Sequence, residues 1–384
     1  MAQRWLTHRP YASLLWSVLG YAVCQMGLAI GLDHRLSAVR DPLFAGQLHR
    51  LRVCQEKAPG RPLVLMLGSS RTFEGFLAAR ASSLCAGGEG SGSGTAKDSP
   101  ALAGDRAAPL IFNFGLTSSF SLLELVFLHR LLASGVRPNL LLIELLPASL
   151  NKLDGRLLEE IWLDAGRLTT SELALVQRYH TERKRLIRYW CVSRCFPCAW
   201  YAGELQRHLG LNYRRWVDEP VDSHGRYTGW SGEVTPGDRR WGTAVTHWQY
   251  QDAFGEFHLA EGSAQALREL LSCCRQERIP ATLVLMPEGP EFRSWYTPAM
   301  RQGLSAFLGE LQRDYQVPIA DAREWIGEDG FRDSNHLIGA GTVAFTDRFV
   351  REVILSDRRL ARAARVEMAA ASKGQPASIN LASK

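Results

Sequence analysis

The sequence has no dense tract of lysine and arginine with interleaved aromatic residues, although its net charge is +6. Such a tract is typical of proteins that bind nucleic acid, so the sequence does not favour a nucleic-acid partner. The nearest candidate is the segment TERKRLIRYW at residues 181–190. We interpret this segment as the solvated, charged face of a helix.

A metal-binding pattern is also lacking. The eight cysteines include the cluster CVSRCFPC at residues 191–198, but no second Cys/His cluster with the spacing of a zinc site accompanies it. We therefore predict no metal ion and no cofactor. If the main body of the chain is exported, one or two disulfides are expected, although their pairing cannot be read from the sequence.

Charge is absent from residues 11–32 (YASLLWSVLGYAVCQMGLAIGL). A helix of this length spans about 30 Å, which is enough to cross the hydrocarbon core of a bilayer. We predict a membrane anchor at residues 1–35, with the main body on the extracytoplasmic (periplasmic) side. Two alternatives stay open, namely cleavage of a signal peptide after Ala29 and a buried core helix.

Short apolar runs alternate with helical patterns along the rest of the chain. The predicted strands are residues 62–67, 109–115, 138–147, 281–287 and 317–322. The predicted helices are residues 48–57, 121–135, 262–280, 297–316 and 339–357. Continuous apolar runs are typical of strands buried on both faces of a parallel sheet. The alternation predicts an α/β, three-layer fold with a mostly parallel sheet of about five strands.

Composition divides the chain into segments. They are the membrane anchor at 1–35, the first half of the sheet domain at 58–149, an insertion at 150–260, the second half of the sheet domain at 261–358 and a disordered tail at 364–384. The periodicity of the insertion is helical up to about Leu209 and loop-like from residue 226 onward. A stretch rich in glycine and serine at residues 86–105 predicts a surface loop.

The first predicted strand runs into Gly68, Ser69 and Ser70. One interpretation is an ordinary tight turn. The other is a serine displayed at the carboxyl edge of the sheet, where reactive groups often lie, with the amides of a helix start close by. The sequence lacks the Gly-x-Ser-x-Gly pattern of the nucleophile elbow at this point.

Asp333 and His336 lie three residues apart, just before a helix predicted to begin near Gly339. On a tight loop, a carboxylate three residues before an imidazole can accept its ring N–H. This contact fixes the tautomer and leaves the other ring nitrogen to act as a base. The alternative is that Asp333 makes a turn or a cap and His336 is partly buried.

Together these motifs resemble the SGNH (GDSL-like) hydrolase superfamily over residues 60–148 and 262–356. In that family the first block is Gly-Asp-Ser, the second block contributes a glycine, and the last block is Asp-x-x-His. The matching residues in this chain are Gly68, Ser69 and Ser70, then Gly115, then Asp333 with His336.

The resemblance implies a role for each matching residue. Ser70 would be the nucleophile, His336 the general base, and Asp333 the residue that orients the imidazole. The backbone amides of Ser70 and Gly115 would form part of the oxyanion hole. An acyl-enzyme would form, and either water or a sugar hydroxyl would then take the acyl group.

One block of the family is missing. Its Gly-x-Asn-Asp motif supplies a side-chain oxyanion donor, whereas this chain has LLIELLPAS at residues 141–149. Losing one donor costs roughly 3 kcal/mol of transition-state stabilisation. Either another donor replaces it, with Asn113 or Arg71 as candidates, or the enzyme is slow, or it is inactive. Glu144 in the same stretch is interpreted as structural. The missing asparagine resembles the membrane-anchored branches of the superfamily, some of which move acyl groups on cell-envelope polymers.

The segment PEGPEFRSWYTP at residues 287–298 follows the fourth predicted strand, so it should reach the same edge of the sheet as Ser70. Arg293 and Tyr296, together with Arg71, are predicted to contact the substrate. The alternative is a structured loop closed by an aromatic plug.

The sequence therefore predicts a serine esterase or an O-acyltransferase that acts on acyl esters. A cell-envelope polysaccharide and a membrane protein that supplies the acyl group are the expected partners. The alternative is a non-catalytic envelope scaffold or carbohydrate-binding protein that retains the fold. The missing asparagine supports this alternative, whereas the presence of Ser70, Asp333 and His336 argues against it.

Overall fold

The computed structural model of the protein describes residues 9–87, 108–152, 156–210, 220–229 and 233–360. The predicted tail at residues 364–384 and most of the predicted loop at residues 86–105 lie outside these described residues. The predicted α/β fold with a parallel sheet of five strands is confirmed.

The sheet is formed by five short strands. They are β1 (Leu63–Gly68), β2 (Leu110–Gly115), β3 (Leu140–Glu144), β4 (Ala281–Leu285) and β5 (Ile319–Asp321). Their order is β2-β1-β3-β4-β5, and every neighbouring pair is parallel. Every residue of β1 to β4 is buried, as expected of continuous apolar runs. The carboxyl ends of all five strands therefore lie at one edge of the sheet.

Helices make up most of the remaining described chain. They are α1 (Arg9–His34), α2 (Ser37–Arg40), α3 (Pro42–Lys57), α4 (Ser70–Gly75), α5 (Ala78–Cys85), α6 (Ser121–Ala133), α7 (Thr170–Val176), α8 (Arg183–Cys195), α9 (Pro197–Trp200), α10 (Ala202–His208), α11 (Pro236–Tyr250), α12 (Glu261–Gln276), α13 (Pro290–Ser294), α14 (Pro298–Tyr315) and α15 (Gly339–Phe349). Short 3₁₀ segments lie at Pro147–Leu150, Leu158–Ile161, Ala165–Arg167, Gln251–Phe254 and Glu328–Gly330, and α15 continues as a π-helical turn at Val350–Ile354.

Helices α5 and α15 pack against the sheet. The rings of Phe345 and Phe349 from α15 join Val64 and Met66 of β1 in one buried cluster. Phe76, which precedes α5, lies edge-on to both rings of α15, at centroid distances of 6.4 and 5.7 Å. Apolar burial of this kind contributes about 25 cal/mol for each Å² removed from water, so this cluster is a main source of the stability of the sheet.

The chain divides into two compact units. One consists of residues 1–46 and 163–216, and the other consists of residues 47–162 and 217–384. The predicted insertion at residues 150–260 is thus shared between the two units. The unit that contains the sheet also contains α11, and the other unit contains α1, α2 and α7 to α10.

Helix α1 is long and apolar enough to cross a membrane, over Tyr11–His34. Its residues from Tyr11 to Cys24 are all exposed, so α1 is not the buried core helix that the sequence left open. This exposure agrees with the predicted membrane anchor. The side of the membrane on which the main body lies stays a prediction.

The prediction of a loop from residue 226 onward is wrong for Pro236–Tyr250, which form helix α11. Thr235 Oγ1 accepts the N–H of Asp238 at 3.2 Å, and Asp238 Oδ2 accepts the N–H of Thr235 at 3.1 Å. This reciprocal capping box starts a helix, and Pro236 occupies its first turn, where proline is well tolerated. The glycines around this capping box are typical of loops, which explains the error.

The expected disulfides are absent. All eight cysteines lie in the described ranges, and none of them is joined to another. Several thiols are buried instead, and burial raises the pKa of Cys85 to about 11 and the pKa of Cys274 to about 12. Cys54 donates to the carbonyl oxygen of Ser223 at 2.8 Å.

Candidate active site

Ser70 lies at the carboxyl edge of the sheet, between β1 and α4. Strand β1 ends at Gly68, and Ser69 caps α4 by accepting the N–H of Arg71 at 3.2 Å. Serine is a preferred residue at this position because its oxygen satisfies an otherwise unpaired amide. Ser69 is buried and Ser70 is partly exposed. The hydroxyl of Ser70 is therefore the one of the two that a ligand can reach.

Ser70, His336 and Asp333 form a continuous hydrogen-bonded relay. Ser70 Oγ lies 2.8 Å from His336 Nε2, and His336 Nδ1 lies 2.8 Å from Asp333 Oδ2. The three residues come from opposite ends of the chain, and the parallel sheet brings them together at one edge. This is the spatial arrangement of a nucleophile, a base and an orienting carboxylate.

The loop that carries Asp333 and His336 is fixed by its own backbone. Asp333 Oδ1 accepts the N–H groups of Asn335 at 3.1 Å and His336 at 2.7 Å. Ser334 has a φ of 62°, in the left-handed region, and its Oγ accepts the N–H of Phe292 at 3.1 Å. These bonds hold the carboxylate and the imidazole of the relay at a constant separation.

The charges around the relay shift the pKa values of its members in opposite directions. Burial by itself raises the pKa of Asp333, but the contact with His336 and the charge of Arg332 outweigh burial and hold it well below its usual value. Burial by itself lowers the pKa of His336, but Asp333 outweighs it and raises this pKa above 6.5. Asp333 is thus ionised near neutral pH, and its charge favours the imidazolium form of His336.

Glu144 holds the turn that presents Ser70. Its carboxylate, at the end of β3, accepts hydrogen bonds from the N–H and the hydroxyl of Ser69 and from the N–H and the hydroxyl of Thr72. A Cβ on Gly68 would lie 2.5 Å from Glu144 Oε2, so the glycine is needed for this approach. Glu144 does not contact the relay, in agreement with its interpretation as structural.

Gly115 and Asn113 have their donors occupied. The N–H of Gly115 donates to Asn113 Oδ1 at 2.9 Å, and Asn113 Nδ2 donates to the carbonyl oxygens of Thr72 at 2.7 Å and Phe76 at 2.9 Å. The structure therefore corrects the oxyanion roles inferred for these two residues. Gly115 serves another purpose, because a Cβ there would lie 2.4 Å from the backbone nitrogen of Phe73.

Arg71 is buried behind the turn and does not face an open cleft. Its exposed fraction is 2%, and its Nη2 donates to the carbonyl oxygens of Met286 at 3.0 Å and Pro287 at 2.8 Å. The carboxylates of Glu144 and Glu288 lie 3.9 and 3.7 Å from its guanidinium. These contacts correct the substrate-binding and oxyanion roles predicted for Arg71, which instead ties α4 to the end of β4.

Tyr296 is buried as well. Its hydroxyl donates to Glu288 Oε1 at 2.8 Å, and burial raises the pKa of both groups. Arg293, which is partly exposed, donates to the carbonyl oxygens of Glu288 and Arg323. The segment at residues 287–298 is thus the structured loop with an aromatic plug, and the predicted substrate contact of Tyr296 is corrected.

Two residues near the relay are not among the site residues predicted from the sequence. Asn335 is 1% exposed, and its side-chain amide makes no hydrogen bond of ordinary length with a described residue, although the hydroxyl of Tyr250 lies close enough to interact with it. Burial raises the pKa of Tyr250 to about 12, and its hydroxyl is close enough to feel the charges of Arg71, Glu144 and Asp333. Asn335 could have been noticed inside the Asp-x-x-His block, whereas Tyr250 belongs to the helix that the sequence did not predict.

No group of three or more histidine, cysteine, aspartate or glutamate residues could hold a metal ion in the part of the chain that the structure describes. The cluster at residues 191–198 belongs to α8 and α9, and its three cysteines are separate thiols. No protein-family model matches the chain, and no curated protein matches it either.

Proposed function

We propose that the protein is a serine esterase or O-acyltransferase of the SGNH-like type, with Ser70 as nucleophile, His336 as general base and Asp333 as the residue that orients the base. The observation that carries this proposal is the relay from Ser70 Oγ to Asp333 Oδ2, in which both contacts are 2.8 Å. A serine hydroxyl is a weak nucleophile until an adjacent base accepts its proton. In this chain His336 is in hydrogen-bonding contact with the hydroxyl.

In the proposed acylation, neutral His336 takes the proton of Ser70 through Nε2 while Ser70 Oγ attacks the carbonyl carbon of an acyl ester. The tetrahedral intermediate collapses when the ester C–O bond breaks, and His336 returns the proton to the leaving alcohol. The acyl group then stays on Ser70 Oγ. Asp333 remains ionised and stabilises the transient imidazolium.

In the second half-reaction, His336 removes a proton from the acceptor, which attacks the acyl carbonyl. The bond between the acyl carbon and Ser70 Oγ then breaks, and His336 returns the proton to Ser70 Oγ. Water as acceptor gives a carboxylic acid, and a sugar hydroxyl gives a new ester. We propose that the sugar hydroxyl belongs to a cell-envelope polysaccharide and that the main body of the chain lies on the extracytoplasmic side of the membrane. A membrane protein that supplies the acyl group is part of the same proposal.

The donors for the developing oxyanion must be groups other than Gly115 and Asn113, whose amides are occupied. Ser70 is the first residue of α4, so its N–H has no acceptor within that helix. The buried amide of Asn335 lies on the loop of the relay and makes no hydrogen bond of ordinary length with a described residue, so it can donate to an oxyanion beside its interaction with Tyr250. We assign these two groups as donors, because a preorganised donor stabilises the transition state by roughly 3 kcal/mol.

Labelling with a fluorophosphonate tests the proposal. The probe is added to the purified full chain, to Ser70→Ala and to His336→Asn, and the modified peptide is identified by mass spectrometry. We expect labelling of Ser70 in the wild-type chain and its loss in both variants, because the probe reacts with serines that a neighbouring base activates. Ser83→Ala is a matched control, since Ser83 is exposed on α5, and it should be labelled like the wild type.

A non-catalytic scaffold is the second candidate, and the occupied amides of Gly115 and Asn113 favour it. It predicts that the folded wild-type chain is not labelled at Ser70. It also predicts that the Ser70→Ala variant still binds any partner that the wild-type chain binds. The same experiment therefore separates the two candidates.

A further inference from the structure

Helix α1 is too short to cross a bilayer over its uncovered part alone. Among the described side chains of α1, the unbroken exposed stretch runs from Tyr11 to Cys24. At 1.5 Å per residue this stretch is about 21 Å long. The hydrocarbon core is about 30 Å thick and needs about 20 helical residues. A span that begins at Tyr11 therefore has to continue to about Ile30.

Other helices of the same unit already cover α1 within that span. The N–H of Cys198, in α9, donates to Gln25 Oε1 at 3.2 Å, and Gln25 is 4% exposed. Gln25 lies about 12 Å along the helix before Asp33, the first charged residue after the apolar segment. Because an unpaired amide oxygen is costly in hydrocarbon, the bond to Gln25 Oε1 is a reason for α9 to dock at that depth, whereas Gln25 Nε2 has no partner among the described residues.

The opposite face of α1 stays apolar over the same length. Met26 and Ile30 are exposed, and charge appears only at Asp33. Asp33 is paired with Arg194 of α8 at 2.9 Å and accepts the hydroxyl of Thr170 of α7 at 2.7 Å. The polar contacts of α7 and α8 with α1 thus lie at the end of the apolar segment, whereas α9 lies beside its interior.

The segment from α8 to the end of α10 also exposes apolar side chains. They are Ile187, Tyr189, Val192, Phe196, Trp200 and Leu209. Phe196 is 53% exposed, and Trp200 lies next to Tyr189 with ring centroids 6.5 Å apart. Tryptophan and tyrosine are enriched where a bilayer meets water.

Basic side chains precede this apolar surface in α8. Arg183, Lys184, Arg185 and Arg188 are exposed, and the guanidinium groups of Arg185 and Arg188 lie over the ring of Tyr189. Long cationic side chains can extend from an apolar surface to lipid headgroups. A helix with an apolar face and several arginines is typical of segments that lie in the plane of the membrane interface.

We propose that α8, α9 and α10 form a second membrane contact, embedded in the interface of the leaflet that the C-terminal part of α1 crosses. The apolar side chains of this surface lie among the acyl chains, and the arginines of α8 contact anionic headgroups. The occupant is the lipid bilayer, because α9 contacts α1 within the span and because the length of α1 requires lipid at the level of α9.

The test uses the full chain in phospholipid nanodiscs that contain phosphatidylglycerol, with a water-soluble maleimide and mass spectrometry as the readout. Cys191 and Cys195 are exposed on α8, and Cys24 is exposed on α1. Ser171→Cys supplies a matched thiol on α7, next to the contact of Thr170 with Asp33. We expect Cys24, Cys191 and Cys195 to react at least about tenfold more slowly than the thiol at position 171, because the reactive thiolate is disfavoured in apolar surroundings.

Each other outcome overturns the proposal. If Cys191 and Cys195 react as fast as the thiol at position 171 while Cys24 is protected, α1 spans the membrane but α8 to α10 lie in water. If Cys24 also reacts fast, α1 is not in the bilayer and the second contact fails with it. If Cys191 and Cys195 are protected only in nanodiscs that hold two chains, the occupant is a second copy of this chain. Ala174→Cys, also exposed on α7, replaces Ser171→Cys if that variant does not fold.

Discussion

Glu144 and Ser69 are joined by two hydrogen bonds, from the Ser69 N–H at 2.9 Å and from its hydroxyl at 2.8 Å. The N–H and the hydroxyl of Thr72 donate to the same carboxylate at 3.2 and 2.7 Å. Two donors before Ser70 in the chain and two donors after it thus bond to the carboxylate of Glu144 in β3. Glu144 therefore fixes the position of Ser70 without contacting it.

Replacing Glu144 with glutamine should destabilise the protein and slow the labelling of Ser70. Glutamine has one acceptor oxygen and turns an NH₂ group toward donors, so buried bonds are lost. We expect a loss of about 2–4 kcal/mol in the free energy of unfolding and a fall of roughly tenfold or more in labelling rate, since the nucleophile is misplaced. Urea unfolding and fluorophosphonate labelling measure the two effects.

Glu256→Gln is the matched control for this prediction. The side chain of Glu256 is 92% exposed, and such a surface change usually alters stability by less than about 0.5 kcal/mol. Equal stability and labelling rate of Glu144→Gln and the control would show that the turn holds without the carboxylate.

The labelling rate of Ser70 should depend on pH through His336. The imidazole must be neutral to accept the Ser70 proton, and Asp333 raises its pKa above 6.5. We expect the rate to fall as the pH is lowered, with a midpoint above 6.5, and we expect Asp333→Asn to move the midpoint to lower pH. A pH profile of labelling in both proteins measures the shift, and an unchanged midpoint in Asp333→Asn would contradict the assigned pairing.

The stability of the unit that contains the sheet should decrease in acid because of Asp333. Its folded-state pKa is held below the ordinary value of 3.8, so its stabilising effect is present above that pH and is lost as the pH falls through the lower folded-state pKa. We expect the wild-type chain to lose more stability between pH 6 and about pH 2 than a double variant with Asp333→Asn and His336→Asn, in which neither member of the pair titrates. Urea midpoints at the two pH values measure this difference, and equal losses would count against the depressed pKa.

Gly115→Ala should destabilise the protein through the backbone of α4. The new Cβ would lie 2.4 Å from the nitrogen of Phe73, so α4 must shift, and such overpacking costs roughly 1–3 kcal/mol. Gly309→Ala in α14 is the control, because a Cβ there meets only the end of the Arg313 side chain, at 3.5 Å. Alanine is the better helix former by about 1 kcal/mol, so thermal unfolding should show opposite shifts for the two variants.

Asn335→Ala should lower the labelling rate without unfolding the protein. The removed amide makes no hydrogen bond of ordinary length and interacts only with the hydroxyl of Tyr250 among the described residues, so few native bonds are lost, whereas one oxyanion donor is worth roughly 100-fold to 1000-fold in rate. Gln265→Ala on the exposed face of α12 is the control and should leave the rate unchanged. A wild-type rate in Asn335→Ala would remove this residue from the proposed oxyanion hole.

The sheet could be predicted from the sequence, because apolar runs that alternate with helical patterns imply parallel strands, and parallel strands bring their carboxyl ends to one edge. The pairing of Ser70 with His336 was expected only from the resemblance of their motifs to a known family. The start of the helix predicted at residues 297–316 also agrees with the structure, in which Thr297 Oγ1 accepts the N–H of Met300 at 3.2 Å and caps α14. The sheet and this helix depend on local sequence patterns.

The surroundings of the relay could not be predicted, because they depend on contacts between distant residues. Asn113 occupies the Gly115 amide and the carbonyl oxygens of α4, and Arg71 turns inward to the end of β4. A side chain's partner in such contacts is fixed by register and packing, not by its neighbours in sequence. From the sequence, arginine and tyrosine residues near the edge of the sheet that carries Ser70 were therefore predicted to contact a substrate. In the structure they are buried and support the fold.

The two supports of the Ser70 turn come from the two neighbours of β1 in the sheet. Asn113 belongs to β2 and Glu144 to β3, and each bonds to α4 or to the turn before it. The hydroxyl of Ser70 can thus be placed beside His336 only after β2, β1 and β3 have paired in register. In a partly folded chain Ser70 would therefore lack its contact with His336, so any reactivity that this contact gives the serine would appear only with the assembled sheet.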